Sequence, residues 1–489
     1  MRSRILLAGA ALAAFGGSLG SGFHFDDYAI FSDPALTSPS GWLRLWTLRQ
    51  TRPLTYFTFW LNYQLGGRNP AGYHLLNLAL HVGAVLLAFA CLRKLLPERV
   101  ALVAAALFAV HPLQAESVDY VWGRAMVLAT LLSLAALLAW LNGRHWIAVA
   151  WFAAALLAKE EVAAFPLALA VLEVLPHGRG SGSKSEPRPS GSGRWRALAA
   201  MLGLSLAAGA RAIYATAVTP GAPAGVQAGI APWHYFLAQG PVIWRYLRLL
   251  VVPYGFTVDP EIHVPPLWLA LAAWAAIATL AWAGWRYCRW IVIGLILLLP
   301  SSSIFPAADL AADRRMYFPL LAFGAAAAIL LSRVKHRSLT AATLCALALA
   351  GISRTAVWNS DAALWSEAVR RAPHKVRPRI QLARAVPPEQ ALQLLAQARA
   401  LAPQDPAVPA EAGKVLLAEG RADQALGEFG RALALDPRDA RNYNNRGVAL
   451  AALGQTEAAC TDFLHALRID PRLDEARANL RNLRSRQAP

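Results

Sequence analysis

The sequence predicts an all-α membrane protein: a polytopic helical bundle with about 11 spans, followed by a C-terminal α-solenoid. Two observations carry this prediction. The 489 residues are 56% hydrophobic and only 16% charged, whereas soluble domains carry about 25% charged residues. Apolar runs recur from residue 5 to residue 356, and a 34-residue repeat follows residue 373. We therefore predict a membrane domain at 1–356 and a helical-repeat domain at 357–489.

The apolar runs have the length and composition of membrane-spanning helices rather than the two-residue alternation of an outer-membrane barrel. Four cysteines lie far apart, a pattern that indicates neither a disulfide framework nor a zinc site. The eleven runs lie near 5–20, 75–92, 100–111, 125–141, 146–158, 162–175, 197–216, 266–284, 291–304, 316–332 and 339–356.

The charge distribution predicts the orientation of the spans. The net charge is +18, but residues 373–489 carry only +4 of it, so most of the excess lies among the apolar runs. Placing residue 1 in the cytoplasm puts 16 of the 30 basic residues of the membrane part on the inner side, including those of the loop 177–196. This is the positive-inside pattern, not a nucleic-acid-binding face. Together with the Ala/Arg-rich composition, which indicates a bacterium, it predicts an inner-membrane protein whose repeat domain is periplasmic.

The membrane topology of two segments can be interpreted in more than one way. Residues 1–20 fit a retained first span, which we favour, and also a cleaved signal peptide. The stretch 233–252 contains His234, Arg245 and Arg248, so within the outer loop 217–265 we favour an interfacial or re-entrant helix over a twelfth span.

The C-terminal repeat has the spacing of tetratricopeptide (TPR) helix pairs. Five residues recur 34 positions later: Gly413, Ala425, Phe429, Ala432 and Pro437 return as Gly447, Ala459, Phe463, Ala466 and Pro471. Small residues where two helices cross, an aromatic between them and a closing proline are typical of TPR units. The unit that ends at Pro403 is shorter and contains Pro378, so we interpret it as degenerate. Such arrays bind protein segments in a concave groove.

Polar residues at the predicted outer ends of spans are the candidates for chemistry, because burying them in a membrane is costly. The first loop, 21–74, begins with Asp26 and Asp27, of which one can accept a proton from an attacking hydroxyl. Arg52 in the same loop has the geometry to bind a phosphate. The remaining candidates lie in the same loop or at other predicted outer ends: His74, His111, Glu116, Arg124, Lys159, Glu160, Arg314 and Tyr317.

These motifs resemble the transmembrane-and-TPR (TMTC) family of protein O-mannosyltransferases. The resemblance rests on F-D-D-x-A-I from Phe25, the long block R-P-L-T to L-H over 52–81, His111-Pro112 with Glu116 and Gly123-Arg124, Lys159-Glu160, and Asp313-Arg314 with Tyr317. The family has the GT-C fold of multi-span glycosyltransferases. It implies transfer of a hexose, mannose-like, from a polyprenyl-phosphate donor to Ser/Thr hydroxyls of a protein.

The motif match implies a role for each candidate. Asp26 and Asp27, with Glu116, would be catalytic, and transfer would proceed with inversion. Arg52, Arg124, Lys159 and Arg314 would stabilise the charge on the departing lipid phosphate. The acidic residues could also hold Mg²⁺ or Mn²⁺, and metal dependence stays open. The alternatives are a non-enzymatic TPR scaffold for envelope assembly and a transporter or flippase. A transporter or flippase would have ionisable residues near mid-bilayer. The apolar runs are nearly free of such residues, and His81 and Arg211 are the exceptions.

Overall fold

The computed structural model describes residues 1–174, 192–219, 224–334 and 336–485. Its contacts divide the chain into two compact units, Met1–Ser360 and Asp361–Pro489. The described residues form helices and no strand, apart from one isolated bridge between Ala224 and Ala307. The all-α prediction is therefore confirmed. Most of the predicted cytoplasmic loop 177–196 lies outside the described residues.

Each of the eleven predicted apolar runs contains a helix within the described residues of the first unit. Within the described residues, six helices are long and apolar enough to cross a membrane, and a bent pair at 98–118 makes a seventh. The chain is thus an integral membrane protein. The helices of these runs are Arg2–Phe15, Pro70–Leu95, Glu98–Val110, Arg124–Leu141, His145–Ala158, Phe165–Val174, Ser192–Val218, Leu267–Tyr287, Arg289–Leu298, Pro319–Leu331 and Arg337–Val357.

The bent pair explains how the third run ends. Glu98–Val110 and Pro112–Val118 meet at an angle of 51°. Pro112 lacks a backbone N–H and disfavours helical geometry in the preceding residue, so His111 adopts an extended conformation and the helix stops there. The chain then turns through short helical segments before Arg124–Leu141 begins. This break brings Glu116 and Tyr120 into the interior of the unit.

The first loop folds as a compact layer of short helices rather than as an extended link. It contains Ala29–Ser32, Pro34–Thr37 and Pro53–Gly66, with single 3-10 turns at Phe25–Tyr28 and Gly41–Leu45. Ile30, Leu36, Leu45, Phe59 and Tyr73 form its apolar core. The layer holds the acidic pair and Arg52 in fixed positions.

The segment 233–252 forms the helix Pro232–Val251. Its ring of Phe236 stacks on Trp274 of Leu267–Tyr287 with centroids 4.5 Å apart. The Tyr246 hydroxyl donates to the carbonyl of Ala312 at 3.0 Å. The helix thereby supports the irregular segment that carries Asp313 and Arg314. It is not among the helices that meet the length and hydropathy requirements for a span.

The second unit consists of antiparallel helix pairs at the predicted spacing. Its helices are Asp361–Arg371, Arg377–Ala383, Pro388–Leu401, Ala407–Ala418, Ala422–Leu435, Ala440–Ala452, Thr456–Ile469 and Asp474–Ser485. A Cβ atom at Gly413 would lie 2.7 Å from the ring of Phe429, and one at Gly447 would lie 2.7 Å from the ring of Phe463. The repeated glycines therefore let the two helices of each pair approach across an aromatic ring.

Candidate active site

The two aspartates of the first loop have different environments. Asp27 is completely buried, and its Oδ2 accepts the N–H of His24 at 3.0 Å while its Oδ1 accepts the N–H of Trp122 at 2.8 Å. Asp26 is exposed on the same 3-10 turn. Phe25, just before it, has φ of 20°, a value that non-glycine residues rarely adopt. Asp27 thus connects the start of the first loop to the segment that contains Trp122, whereas Asp26 on the same turn faces outward.

Burial raises the pKa of Asp27 from 3.8 to about 7, although the backbone N–H of His24 and that of Trp122 oppose this shift. A carboxyl group whose pKa rises on folding holds a proton in the folded state at pH values where the unfolded chain has lost it. Its contribution to the free energy of unfolding therefore falls as the pH rises from about 4 to about 7.

We expect this titration to appear in thermal unfolding of the purified protein. The melting temperature of the wild type relative to that of Asp27→Asn should fall between about pH 4 and about pH 8. Asp27 ionises over this range, whereas Asn cannot. Asp26→Asn is the matched control, and it should retain a pH dependence, displaced slightly to lower pH because the charge of Asp26 contributes to the raised pKa of Asp27. A difference that stays constant, or that moves in favour of the wild type, would show that Asp27 does not titrate in this window.

Tyr120 lies behind the acidic pair and was not predicted from the sequence. Its ring lies between Phe25, at a centroid distance of 4.6 Å, and Trp358, at 5.7 Å. Its hydroxyl is buried beside Asp26. Burial, and then the charges of Asp27 and Asp26, raise the pKa of Tyr120 well above its usual range. Tyr120 therefore stays neutral beside the two carboxyl groups.

Glu116 and Arg314 form an ion pair between the bent pair of helices and the turn Asp313–Met316. The Arg314 Nη1 lies 2.5 Å from Oε1 of Glu116, and the backbone N–H of Arg314 donates to Oε2 at 3.1 Å. Asp309 lies 3.8 Å from Nη2 of the same guanidinium. Glu116 is buried, whereas 27% of the Arg314 side chain is exposed. Arg314 thus presents a fixed cation at the surface of the site.

A second pair of ionic contacts involves the segment after His145–Ala158. Arg52 binds Glu160 through two bonds, Nε at 3.0 Å and Nη2 at 2.6 Å, and about a quarter of each side chain is exposed. Lys159 contacts Glu161 at 3.0 Å and is almost completely buried. Burial lowers the pKa of Lys159 to about 8, with Arg52 and Arg314 adding to the effect and Glu161 opposing it. The positive charges of Arg52 and Arg314 thus both act on Lys159.

Arg124 is buried and almost fully bonded. Its Nε donates to the Asn77 side chain at 2.7 Å, its Nη2 to the carbonyl of Tyr73 at 2.9 Å, and its Nη1 to two oxygens of Thr58 at 3.2 Å. Its guanidinium also lies 4.7 Å from the ring centroid of Phe59. These contacts join the first loop to the span that begins at Arg124.

Three further candidates are buried rather than exposed at an outer face. His74 contacts the carbonyl of Gly22 at 3.0 Å, and His111 contacts that of Leu250 at 3.1 Å. The Tyr317 hydroxyl contacts His81 at 2.8 Å. His81, an ionisable residue within an apolar run, thus contacts the candidate residue Tyr317 in the core.

A cavity of about 300 Å³ lies beside the Arg52–Glu160 pair, between His145–Ala158 and Ser192–Val218. Each segment contributes residues at positions i, i+3, i+4 and i+7. These residues share one helical face, except Glu160, which follows the end of the first helix. The last member of each series is ionic, Glu160 in one and Arg211 in the other. The apolar members are Ala153, Leu156, Leu157, Leu204, Ala207 and Ala208. The cavity is therefore apolar along its length and polar at one end.

Across the described ranges, no three His, Cys, Asp or Glu side chains lie close enough to hold a metal ion. Asp26, Asp27 and Glu116 therefore do not form the ligand group that the sequence prediction allowed. Sequence reasoning also missed the buried Asp119, whose Oδ2 accepts the Thr355 hydroxyl at 2.8 Å. No local pattern marked either Asp119 or Tyr120.

Comparisons with known proteins cover parts of both units. Residues 50–189 match the family described as dolichyl-phosphate-mannose-protein mannosyltransferase, and residues 413–454 and 440–473 match tetratricopeptide repeat families. The mouse protein O-mannosyl-transferase TMTC3 is 35% identical over 153 residues, which are 28% of this chain and 17% of the mouse protein. The chain is similar to the TMTC proteins, as its motifs predicted.

Two other comparisons complete this description. The Caenorhabditis elegans protein O-mannosyl-transferase F38B6.6 is 33% identical over 164 residues, 30% of this chain and 24% of that protein. The crystal structure of ArnT from Cupriavidus metallidurans bound to undecaprenyl phosphate aligns with a TM-score of 0.43 and 12% identity, covering 94% of this chain and 79% of ArnT. The chain thus spans a quarter or less of the length of these two protein O-mannosyl-transferases.

Proposed function

We propose that this protein is a membrane glycosyltransferase. It transfers a mannose-like hexose from a polyprenyl-phosphate donor to Ser/Thr hydroxyls of an extracytoplasmic protein, with inversion. The observation that carries the proposal is the exposed Asp26 carboxylate in the same folded unit as the partly exposed cations Arg52 and Arg314. The similarity of residues 50–189 to protein mannosyltransferases supports the same chemistry.

In the proposed reaction Asp26 accepts the proton of the acceptor hydroxyl. The hydroxyl oxygen bonds to the anomeric carbon while the bond from that carbon to the phosphate oxygen breaks, and the lipid phosphate leaves with the electron pair. Asp26 suits this role better than Asp27, because both Asp27 oxygens already accept backbone N–H groups. A general base must reach the proton that it removes.

Arg314 and Arg52 are the proposed phosphate-binding residues, because their guanidinium groups are partly exposed. Preorganised cations of this kind stabilise the charge that develops on a leaving group. Glu116 and Glu160 would hold the two guanidinium groups in position rather than react. Lys159 would add positive potential from a buried position. We assign Arg124 a structural role, since its N–H groups are occupied.

The cavity beside Glu160 suits the lipid chain of the donor. Its apolar walls belong to two helices of the membrane unit, and its polar end lies next to Arg52. An amphiphile with an anionic head would place its chain along the apolar faces and its phosphate near the cations. The repeat unit would hold the acceptor protein in its groove.

Transfer is tested with the purified full-length chain, polyprenyl-phosphate mannose and Ser/Thr-containing peptides from envelope proteins of the host. We expect hexose-modified peptide by mass spectrometry, and loss of the same modification from cells that lack the protein. EDTA treatment decides the metal question: activity that survives it supports the metal-free base. Absence of modification in both settings would favour the envelope scaffold.

Orientation in the membrane is a separate prediction. The positive-inside distribution places residue 1 and Ser185 in the cytoplasm and the repeat unit in the periplasm. A reporter enzyme that works only in the periplasm should be active when fused after Pro489 and silent when fused at Ser185. The amounts of the two fusion proteins are compared as the control for expression. The reverse result would place the candidate site on the cytoplasmic side and contradict the proposed acceptor.

A further inference from the structure

We infer that the segment 41–51 of the first loop enters the lipid bilayer beside the helix Ser192–Val218, with Arg211 of that helix satisfying its backbone carbonyls. The partner of this surface is the acyl chains of the adjacent leaflet. The inference goes beyond the proposed function and does not depend on it. The same arrangement accounts for Arg211 in an apolar helix and for the exposed apolar side chains of the segment 41–51.

The first step is the set of contacts that Arg211 makes. Its Nη2 donates to the carbonyl of Thr47 at 2.8 Å and to that of Gln50, and its Nε donates to the carbonyl of Leu48 at 3.3 Å. One guanidinium thus binds three carbonyls of an irregular segment. Glu160, which lines the same cavity, pairs with Arg52, and within the described part of the chain Arg211 forms no ion pair. Its charge is balanced mainly by backbone dipoles.

The second step is the depth of Arg211. The span that contains it runs from Gly193 to Val218, 26 residues, which is about 39 Å at 1.5 Å per residue. A hydrocarbon core of about 30 Å leaves roughly 4 to 5 Å of helix beyond each boundary. Arg211 precedes Val218 by seven residues, about 10 Å along the axis. It therefore lies several ångströms inside the hydrocarbon region.

The side chains beyond Arg211 agree with this depth. Ile213 is 58% exposed and Tyr214 is 48% exposed, so the helix remains apolar on its surface toward its end. Irregular backbone at such a depth is tolerated only where its polar groups are satisfied by protein. The three bonds from Arg211 meet this requirement for the carbonyls of the segment that face the helix.

The third step is the outer surface of the segment. Leu43 and Leu48 are 61% and 72% exposed, and Trp42 and Trp46 are 36% and 48% exposed, whereas Leu45 between them is buried in the loop core. Tryptophan is enriched at membrane interfaces, and leucine is favoured in the hydrocarbon region. The exposed Arg44 and Arg49 have side chains long enough to reach the phosphate headgroups. The segment has the composition of a shallow membrane insertion.

The inference is tested by spin labelling of the full-length chain in lipid vesicles. Cys91, Cys288, Cys345 and Cys460 are replaced, and a single cysteine at Leu48 carries the nitroxide. We expect the nitroxide to collide more often with oxygen than with a water-soluble nickel chelate. A label at Leu206, which is 77% exposed on the helix Ser192–Val218, should behave in the same way. A label at Glu457 in the repeat unit is the aqueous control. A Leu48 label that behaves like the Glu457 label would overturn the inference.

The role of Arg211 is tested in the same background. Arg211→Gln removes most of the donors to the three carbonyls, so the Leu48 label should become more mobile and shift toward aqueous accessibility. Arg196→Gln, at the other end of the same helix, is the matched control and should leave the label unchanged. An unchanged label in Arg211→Gln would refute the anchoring role of Arg211. If Arg211→Gln fails to fold, the accessibility of Leu48 in the otherwise unaltered chain still decides the location. Neither measurement requires sugar transfer.

Discussion

Asp26→Asn is expected to lower the rate of sugar transfer by about 10²- to 10⁴-fold, the usual contribution of a positioned general base. The substitution keeps the size of the side chain but removes the proton acceptor. Because Asp26 is exposed, the variant should insert normally and retain the melting temperature of the wild type. The rate is measured with polyprenyl-phosphate mannose and a peptide acceptor, and lipid binding is measured in parallel.

Asp27→Asn provides the contrast that separates chemistry from folding. An amide cannot accept two backbone N–H groups through both of its terminal atoms, so this variant loses one of the bonds to His24 and Trp122. Its main effect should be a lower melting temperature, with transfer per folded molecule less affected than in Asp26→Asn. If Asp26→Asn transfers sugar at the wild-type rate while Asp27→Asn does not, the assignment of the base to Asp26 is wrong.

Phe429→Ala is expected to lower the free energy of unfolding of the repeat unit by about 3 to 5 kcal/mol, as for other fully buried phenylalanines. Phe429 is completely buried and packs directly over Gly413. Because no side chain at position 413 can fill the space, the cavity would remain largely open. Phe463→Ala should have a similar effect over Gly447. Chemical denaturation of the unit 361–489 measures both values.

Leu464→Ala is the matched control, since this leucine is 41% exposed on the same helix as Phe463. It should change stability by less than about 0.5 kcal/mol. In the full-length chain, Phe429→Ala should impair use of the acceptor more than binding of the donor lipid. Equal acceptor use in the variant and the wild type would contradict the proposed role of the repeats.

The sequence determined the helices and the repeats because these depend on local information. A run such as 146–158 is apolar throughout. In a membrane its backbone polar groups must bond within the segment, as they do in a helix. The pairing of Gly413 with Phe429 was likewise visible, because both belong to one helix pair and recur 34 residues later. The positions of Arg52, Glu116 and Arg314 between predicted spans identified them as candidates in the sequence.

Only the tertiary structure decided which of these residues face solvent. Asp26 and Asp27 are adjacent and chemically identical, and their difference arises from a 3-10 turn and from the N–H of Trp122, 95 residues away. Arg124 and Arg314 appeared equivalent as phosphate ligands, yet Arg124 is enclosed by the first loop. Arg211 binds carbonyls more than 160 residues earlier in the chain. Burial and hydrogen bonding of a charged group depend on segments distant in sequence, and no local pattern encodes those contacts.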